Sequence, residues 1–285
     1  MCYCEAMTLD LPTGIGAAIA FVFGASIGSF ACVVAYRLPR ELSIVSPRSF
    51  CESCERAIPW WANIPILAYL GLRGRCMMCG APIPFRHFLA EFGLAITALY
   101  LYLAFPIPDA IARFVLCAAL WVVAIIDYDW RLIPNIVTWP GTIVGFIAAS
   151  LMMPDVGWKS SLIGVILGGG VLFATGYFYQ LVRGREGVGL GDVWLLGMVG
   201  GFLGWPGVLF TMFFGSLIGA IGGVAFALSG SGATAPAPLG EPATDPEEAD
   251  VSILRTEVPF GPYLALAAGV YALFQPQLTH WYLGG

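Results

Sequence analysis

Long apolar runs at residues 13–36, 88–105, 110–127, 134–153, 160–182, 192–203, 207–228 and 259–275 alternate with short polar breaks. A bilayer core about 30 Å thick needs roughly 20 apolar residues in a helix, and lipid offers no partners for open backbone. A closed barrel would show brief segments of alternating polarity, and none is present. The pattern therefore predicts an all-α polytopic membrane protein with about eight transmembrane helices. The run at 192–203 is short, and Gly204-Trp205-Pro206 reads as a tight turn into its successor.

Composition agrees: 59% of the 285 residues are hydrophobic and 11% charged, against about 25% charged in ordinary soluble domains. The 36 glycines suit helices that pack backbone to backbone in lipid. Basic residues set the orientation, since Lys and Arg collect in cytoplasmic loops. Seven of the 13 lie between Arg37 and Arg86. Threading eight crossings with that segment inside also places Arg131, Arg183, Arg185 and Arg255 inside, leaving Arg113 and Lys159 outside. The first run resembles a signal peptide, but no basic region precedes it and no clear cleavage site follows, so it is expected as a retained helix.

The expected organisation is a first transmembrane helix at 13–36, a cytosolic cysteine module at 37–87, a membrane core at 88–228, a loop at 229–258, and a last helix with its tail at 259–285. The loop is rich in Ser, Gly, Ala, Pro and acids such as Glu241, Asp245 and Glu248. It reads as a disordered linker.

Cys51-x-x-Cys54 and Cys76-x-x-Cys79 are two pairs at a separation that lets two loops converge on one tetrahedral ion. Thiolates favour borderline-soft zinc, and four of them leave no coordination position open, so the site is expected to be structural. Two disulfides are the competing reading, disfavoured by a reducing cytosol. Cys32 and Cys117 lack such spacing and read as small apolar fillers.

Charge inside spanning segments costs about 2.5–3.5 kcal/mol at the centre, so each acid there needs a reason. Asp127 closes one apolar run, and Asp192 opens another after Gly189-Leu190-Gly191. The threading puts both at the cytosolic boundary. Two carboxylates meeting there could hydrolyse a peptide bond without a metal, one accepting a proton from water and the other polarising the carbonyl. Gly189 and Gly191 would let an extended substrate approach. Against this stand a helix N-cap for Asp192 and a water-facing helix end for Asp127. Glu91, on the run after Arg86 and His87, is a further intramembrane acid, for which an ion pair or hydrogen bond is an equal alternative.

Five segments in order resemble the type IV prepilin peptidases. They are Gly28-Ser29-Phe30 through Arg37-Leu38-Pro39, the paired cysteines with Asn63-Ile64-Pro65 between them, and Asp127-Tyr128-Asp129 continuing to Pro134-Asn135 and Thr138. The fourth is Gly189-Leu190-Gly191-Asp192, similar to the Gly-x-Gly-Asp signature of intramembrane aspartyl proteases, and the fifth is Pro259-Phe260-Gly261-Pro262-Tyr263. Cys32 stands where an asparagine is usual, and Asn135 where a further aspartate is frequent.

The resemblance implies an aspartic endopeptidase of the bacterial inner membrane with Asp127 and Asp192 catalytic. It would remove the basic leader of type IV prepilins or type II secretion pseudopilins after a glycine, at the cytosolic face. It also implies N-methylation of the new terminus with S-adenosylmethionine. The partners expected are those substrates and the lipid bilayer, with no nucleic acid. A cation or proton transporter using the same acids, and a noncatalytic assembly factor, are the rival classes.

Overall fold

The computed structural model describes residues 13–183, 189–228 and 260–283; Cys2, Cys4, Arg185, Arg255, the acidic 229–258 segment and Pro259 lie outside the described residues. The elements are α1 (Thr13–Arg37), α2 (Leu67–Gly71), α3 (Phe85–Ala104), α4 (Ile107–Trp130), α5 (Asn135–Leu151), α6 (Gly157–Val165), α7 (Val171–Arg183), α8 (Leu190–Leu228) and α9 (Gly261–Leu283). One π turn, Ile166–Gly170, joins α6 to α7 in a single apolar rod. Extended structure among the described residues is limited to two isolated bridges, Phe50 with Ala57 and Arg75 with Pro82.

Five stretches are long and apolar enough to cross a membrane: Thr13–Arg40, Phe85–Ala104, Ile107–Trp130, Gly157–Val182 and Leu190–Gly223, with Asn135–Leu151 a shorter apolar helix. Their outward faces suit lipid. Ile15, Ile19, Val22 and Phe23 of α1 are each more than half exposed, an arrangement water would penalise.

The tight turn expected at residue 204 divides α8. Gly204 has φ 70° and ψ −174°, inside what otherwise runs as one helix, and Pro206 follows. Neighbours show that the halves run in opposite directions. A Cβ on Gly191 would touch Ile133 of the α4–α5 turn, whereas Gly219 faces Phe260 and Gly207 faces Tyr271 of α9. The chain thus leaves the Asp192 end and returns to it. With the split, α1, α3, α4, α5, the α6–α7 rod, both halves of α8, and α9 make the eight expected helices.

Small residues set the helix pairs. Gly24 and Gly28 of α1 lie against the Leu94 and Ala90 carbonyls of α3, and Gly164 of α6 faces Gly200 of α8 backbone to backbone. A fully buried arginine pins α4 to α9. Arg113, 0% exposed, donates to Asp109 Oδ1, the Ala272 carbonyl and Gln275 Oε1, each at 2.8 Å. Burial without these acceptors would cost several kcal/mol. This tie, distant from Asp127 along α4, holds α9 antiparallel to α4 and brings the start of α9 to the end of α4.

Candidate active site and metal centre

Asp127 lies in the last turn of α4, where Arg131 adopts φ 53° and donates its N–H to the Asp127 carbonyl to end the helix. The side chain is not a water-facing helix end: it is 5% exposed. Its Oδ2 accepts the Gly261 backbone N–H at 2.9 Å, from the first residue of α9. That N–H would otherwise be one of the unpaired donors of a helix start. A Cβ on residue 261 would fall 2.7 Å from Asp127 Oδ2 and 2.9 Å from its Cγ, so the contact requires glycine.

Asp192 is in the first turn of α8, two residues past its start at Leu190, and so inside the helix rather than in the N-cap position. Its Oδ1 is buried with no hydrogen-bond partner among the described residues. Gly191 beside it packs on Ile133, in the turn that follows α4, so Asp192 and Asp127 stand at the same end of the bundle. A Cβ on Gly189 would meet Asp192 Oδ2 at 3.4 Å, so the glycine lies directly beside that carboxyl oxygen. Gly191 has a different task. Its missing side chain admits Ile133 and seats α8 against the turn that follows Asp127.

Asp129 is engaged elsewhere, in an ion pair with Arg86 that ties the end of α4 to the start of α3. Thr138 is fully buried on α5. The contact between residue 261 and Asp127 escaped sequence reasoning. The segment around Gly261 stood out as the opening of a helix, but nothing local tied it to an acid 134 residues away.

The four cysteines converge as the spacing predicts. All are free thiols, and Cys51, Cys54, Cys76 and Cys79 place every Sγ within 4.8 Å of the others, with Cys51 and Cys79 at 3.9 Å. Tetrahedral thiolates about 2.3 Å from zinc sit about 3.8 Å apart, so the set fits such an ion.

Each pair sits on a matching loop. Cys51 N–H bonds to the Arg56 carbonyl and Glu55 N–H to that of Cys51; Cys76 N–H bonds to Ala81 and Gly80 N–H to Cys76. Glu55 and Gly80, each just after the second cysteine, both have positive φ, 55° and 71°. The Cys79 and Met78 N–H groups hold the Cys76 thiol down at about 6, while Cys79 rises to about 11. At Cys79 the Ala81 N–H draws downward, and desolvation with the Cys76, Cys54 and Cys51 sulfurs outweighs it. Four crowded sulfurs cannot all ionise without a cation, so the cluster could hold a metal ion.

Residues 22–105 match the Bacterial Peptidase A24 N-terminal domain, and residues 114–224 match the Type IV leader peptidase family. A prepilin leader peptidase/N-methyltransferase of Burkholderia pseudomallei (strain 1026b) is 32% identical over 303 aligned residues, covering 96% of this chain and 90% of that protein. The chain belongs to the type IV leader peptidase family. Proteins of the same name from Aeromonas hydrophila, 30% identical over 98% of each chain, and Myxococcus xanthus (strain DK1622), 32% identical over 91% of this chain and 90% of its own, are also similar. No solved structure matches.

The first match spans most of α1, the cysteine module and α3; the second spans most of α4 through α8 and contains both aspartates. Gly261 lies beyond both. If this leader peptidase family member uses Asp127 chemically, Gly261→Ala should displace the carboxyl group. Substrate cleavage should then fall about 10- to 100-fold, as small misplacements of reacting groups do, while circular dichroism keeps its helical signal. Cleavage at the original rate would show that the contact is only a helix cap.

Proposed function

We propose that the chain removes the basic leader of type IV prepilins or type II secretion pseudopilins after a glycine, at the cytosolic face of a bacterial inner membrane. Asp127 and Asp192 form the catalytic dyad, and N-methylation of the new terminus follows with S-adenosylmethionine as donor. The observation that supports the reading most is that both aspartates stand at the same end of the helix bundle, Asp127 in the last turn of α4 and Asp192 in the first turn of α8, whose Gly191 packs on Ile133 just after α4. The relatives similar over nearly the whole chain carry the name prepilin leader peptidase/N-methyltransferase.

In the dyad one carboxylate is ionised and takes a proton from water as its oxygen attacks the scissile carbonyl. The other is protonated and stabilises the developing oxyanion. Collapse of the tetrahedral species breaks the C–N bond and returns a proton to the leaving amine. The Gly261 N–H fixes how Asp127 presents its oxygens, and the substrate backbone passes the bare flank at Gly189, on the turn that Gly191 seats.

Structural zinc at Cys51, Cys54, Cys76 and Cys79 organises residues 37–87. Residues 88–228 build the protease core, and 259–285 supply the last helix and tail. The test is incubation of purified protein in lipid with a prepilin and S-adenosylmethionine, followed by mass analysis of the product. The expected result is a leader cut after glycine and a mature terminus heavier by one methyl group. An intact prepilin would end the peptidase reading, and a cut but unmethylated product would end the second half alone.

A further inference from the structure

A cavity of about 260 Å³ lies between α1, the start of α3 and the cysteine module, and neither Asp127 nor Asp192 lines it. Small-molecule sites run from about 300 Å³ upward, and this cavity is close to that size. Glu91 of α3, Ser29 and Tyr36 of α1, and Phe50, Tyr69 and Cys76 of the module are among its lining residues.

Glu91 is the unusual member. It is an acid within a spanning helix, and the described ion pairs, Arg86 with Asp129 and Arg113 with Asp109, leave it without a cation. The basic side chains on the cavity wall, Arg37, Arg56 and His87, form no ion pair with it among the described residues. Arg37 is committed to the carbonyls of Ser43, Pro47 and Arg48, and Arg56 is exposed.

What holds Glu91 is neutral. Its Oε2 accepts the Ile66 N–H at 2.7 Å, and the Ser29 hydroxyl and Cys32 lie beside it. Ile66 reaches it at φ 65° and ψ −54°, with Leu67 N–H closing on the Pro65 carbonyl at 2.6 Å. A β-branched residue in that tight turn is strained. Strain of this kind persists where the surroundings impose it, often at ligand sites. The carboxylate is thus oriented by the fold while its charge is left without a basic partner.

We propose that this cavity holds the methyl donor, S-adenosylmethionine, with the Glu91 carboxylate facing its sulfonium and the aromatic wall taking its flat base. The assignment rests on the methyltransferase half of the proposed function. A sulfonium is a permanent cation that cannot shed its charge to enter a partly apolar site, so a fixed anion and aromatic faces are the groups that recognise it. Bound there, the donor supplies a methyl carbon to the product's free amine: the N–C bond forms, the S–C bond breaks leaving its electrons on sulfur, and the amine sheds a proton to solvent. The Arg86–Asp129 pair couples this wall to the dyad, joining the start of α3 to the α4 end two residues past Asp127.

The experiment is calorimetric titration of the full chain in lipid nanodiscs with S-adenosylmethionine and, separately, with its neutral thioether product, S-adenosylhomocysteine. Glu91→Gln should weaken the cationic ligand at least about tenfold, as loss of a charged partner does, and the neutral one less than about threefold. Ala62→Trp, which fills the cavity from its wall, should abolish binding of both. Retained thioether binding in Glu91→Gln is the internal control for folding.

Equal weakening of both ligands in Glu91→Gln, or full binding in Ala62→Trp, would place the donor elsewhere and leave the methyltransferase reading standing. Absence of donor binding in the unmodified protein would remove that reading along with this one. If Glu91→Gln instead raised KM for the basic leader and left donor affinity unchanged, the cation that Glu91 meets would be the leader's, and the proposal would be overturned.

Discussion

Asp127→Asn and Asp192→Asn should each reduce leader cleavage by about 10²- to 10⁴-fold or more, the range carried by general acid–base groups. Asparagine keeps the shape of the side chain, and at residue 127 its carbonyl oxygen can still accept the Gly261 N–H. What it loses is the proton chemistry. At residue 192 Oδ1 has no hydrogen-bond partner among the described residues, so an amide there breaks no described hydrogen bond of that atom.

Because the carboxyl groups act as one unit, the double variant should be no worse than the more damaged single variant. Initial rates on a purified prepilin, with thermal melting in detergent to verify folding, are the measurement. Appreciable cleavage by either single variant would mean that the two do not share the work. Multiplicative loss in the double variant would mean that they act independently.

The helices were legible because their signal is local. A run of apolar residues is visible without knowing its neighbours, and the runs at 110–127 and 134–153 became Ile107–Trp130 and Asn135–Leu151. The reversal in α8 was legible for the same reason: a glycine followed closely by proline marks a break whatever surrounds it, and Gly204 adopts the positive φ such a break needs. The cysteine cluster was legible through spacing, since each ligand pair is confined to one short loop.

Long-range contacts were not legible. The threading placed Arg113 on the outer side, while the structure buries its guanidinium among Asp109, Ala272 and Gln275. Only Asp109 sits a helical turn away; the other two come from α9. Glu91 illustrates an alternative that sequence left open. An acid near Arg86 and His87 suits an ion pair, but Arg86 goes to Asp129, and Glu91 receives the N–H of a strained loop residue. Asp192 likewise fits a helix cap by local rules, and only the actual start at Leu190 moves it into the first turn. In each case composition identifies a costly group, and packing decides how that cost is met.

Stripping zinc, or replacing Cys76 with serine, should unfold the cysteine module while the membrane helices remain. From residue 41 to 84 only Gly74 is fully buried, and Trp60, Trp61, Leu67 and Leu70 are exposed. So little burial cannot offset the entropy of ordering the segment. Two isolated bridges and short helical turns add little. A structural zinc site, with apparent binding free energies of about 10–16 kcal/mol in small zinc domains, can. Limited proteolysis should therefore cut the apo protein within 41–84 at rates orders of magnitude above the loaded protein, with restoration on adding zinc. Far-UV circular dichroism should change little, because the long helices lie outside the module. Since Cys51 and Cys76 also line the cavity beside Glu91, donor affinity should be lost with the metal, and leader cleavage should suffer less. A chelated protein as protease-resistant as the loaded one would show that the module is held by its packing against α1 and α3, and that the four sulfurs serve some purpose other than holding the fold.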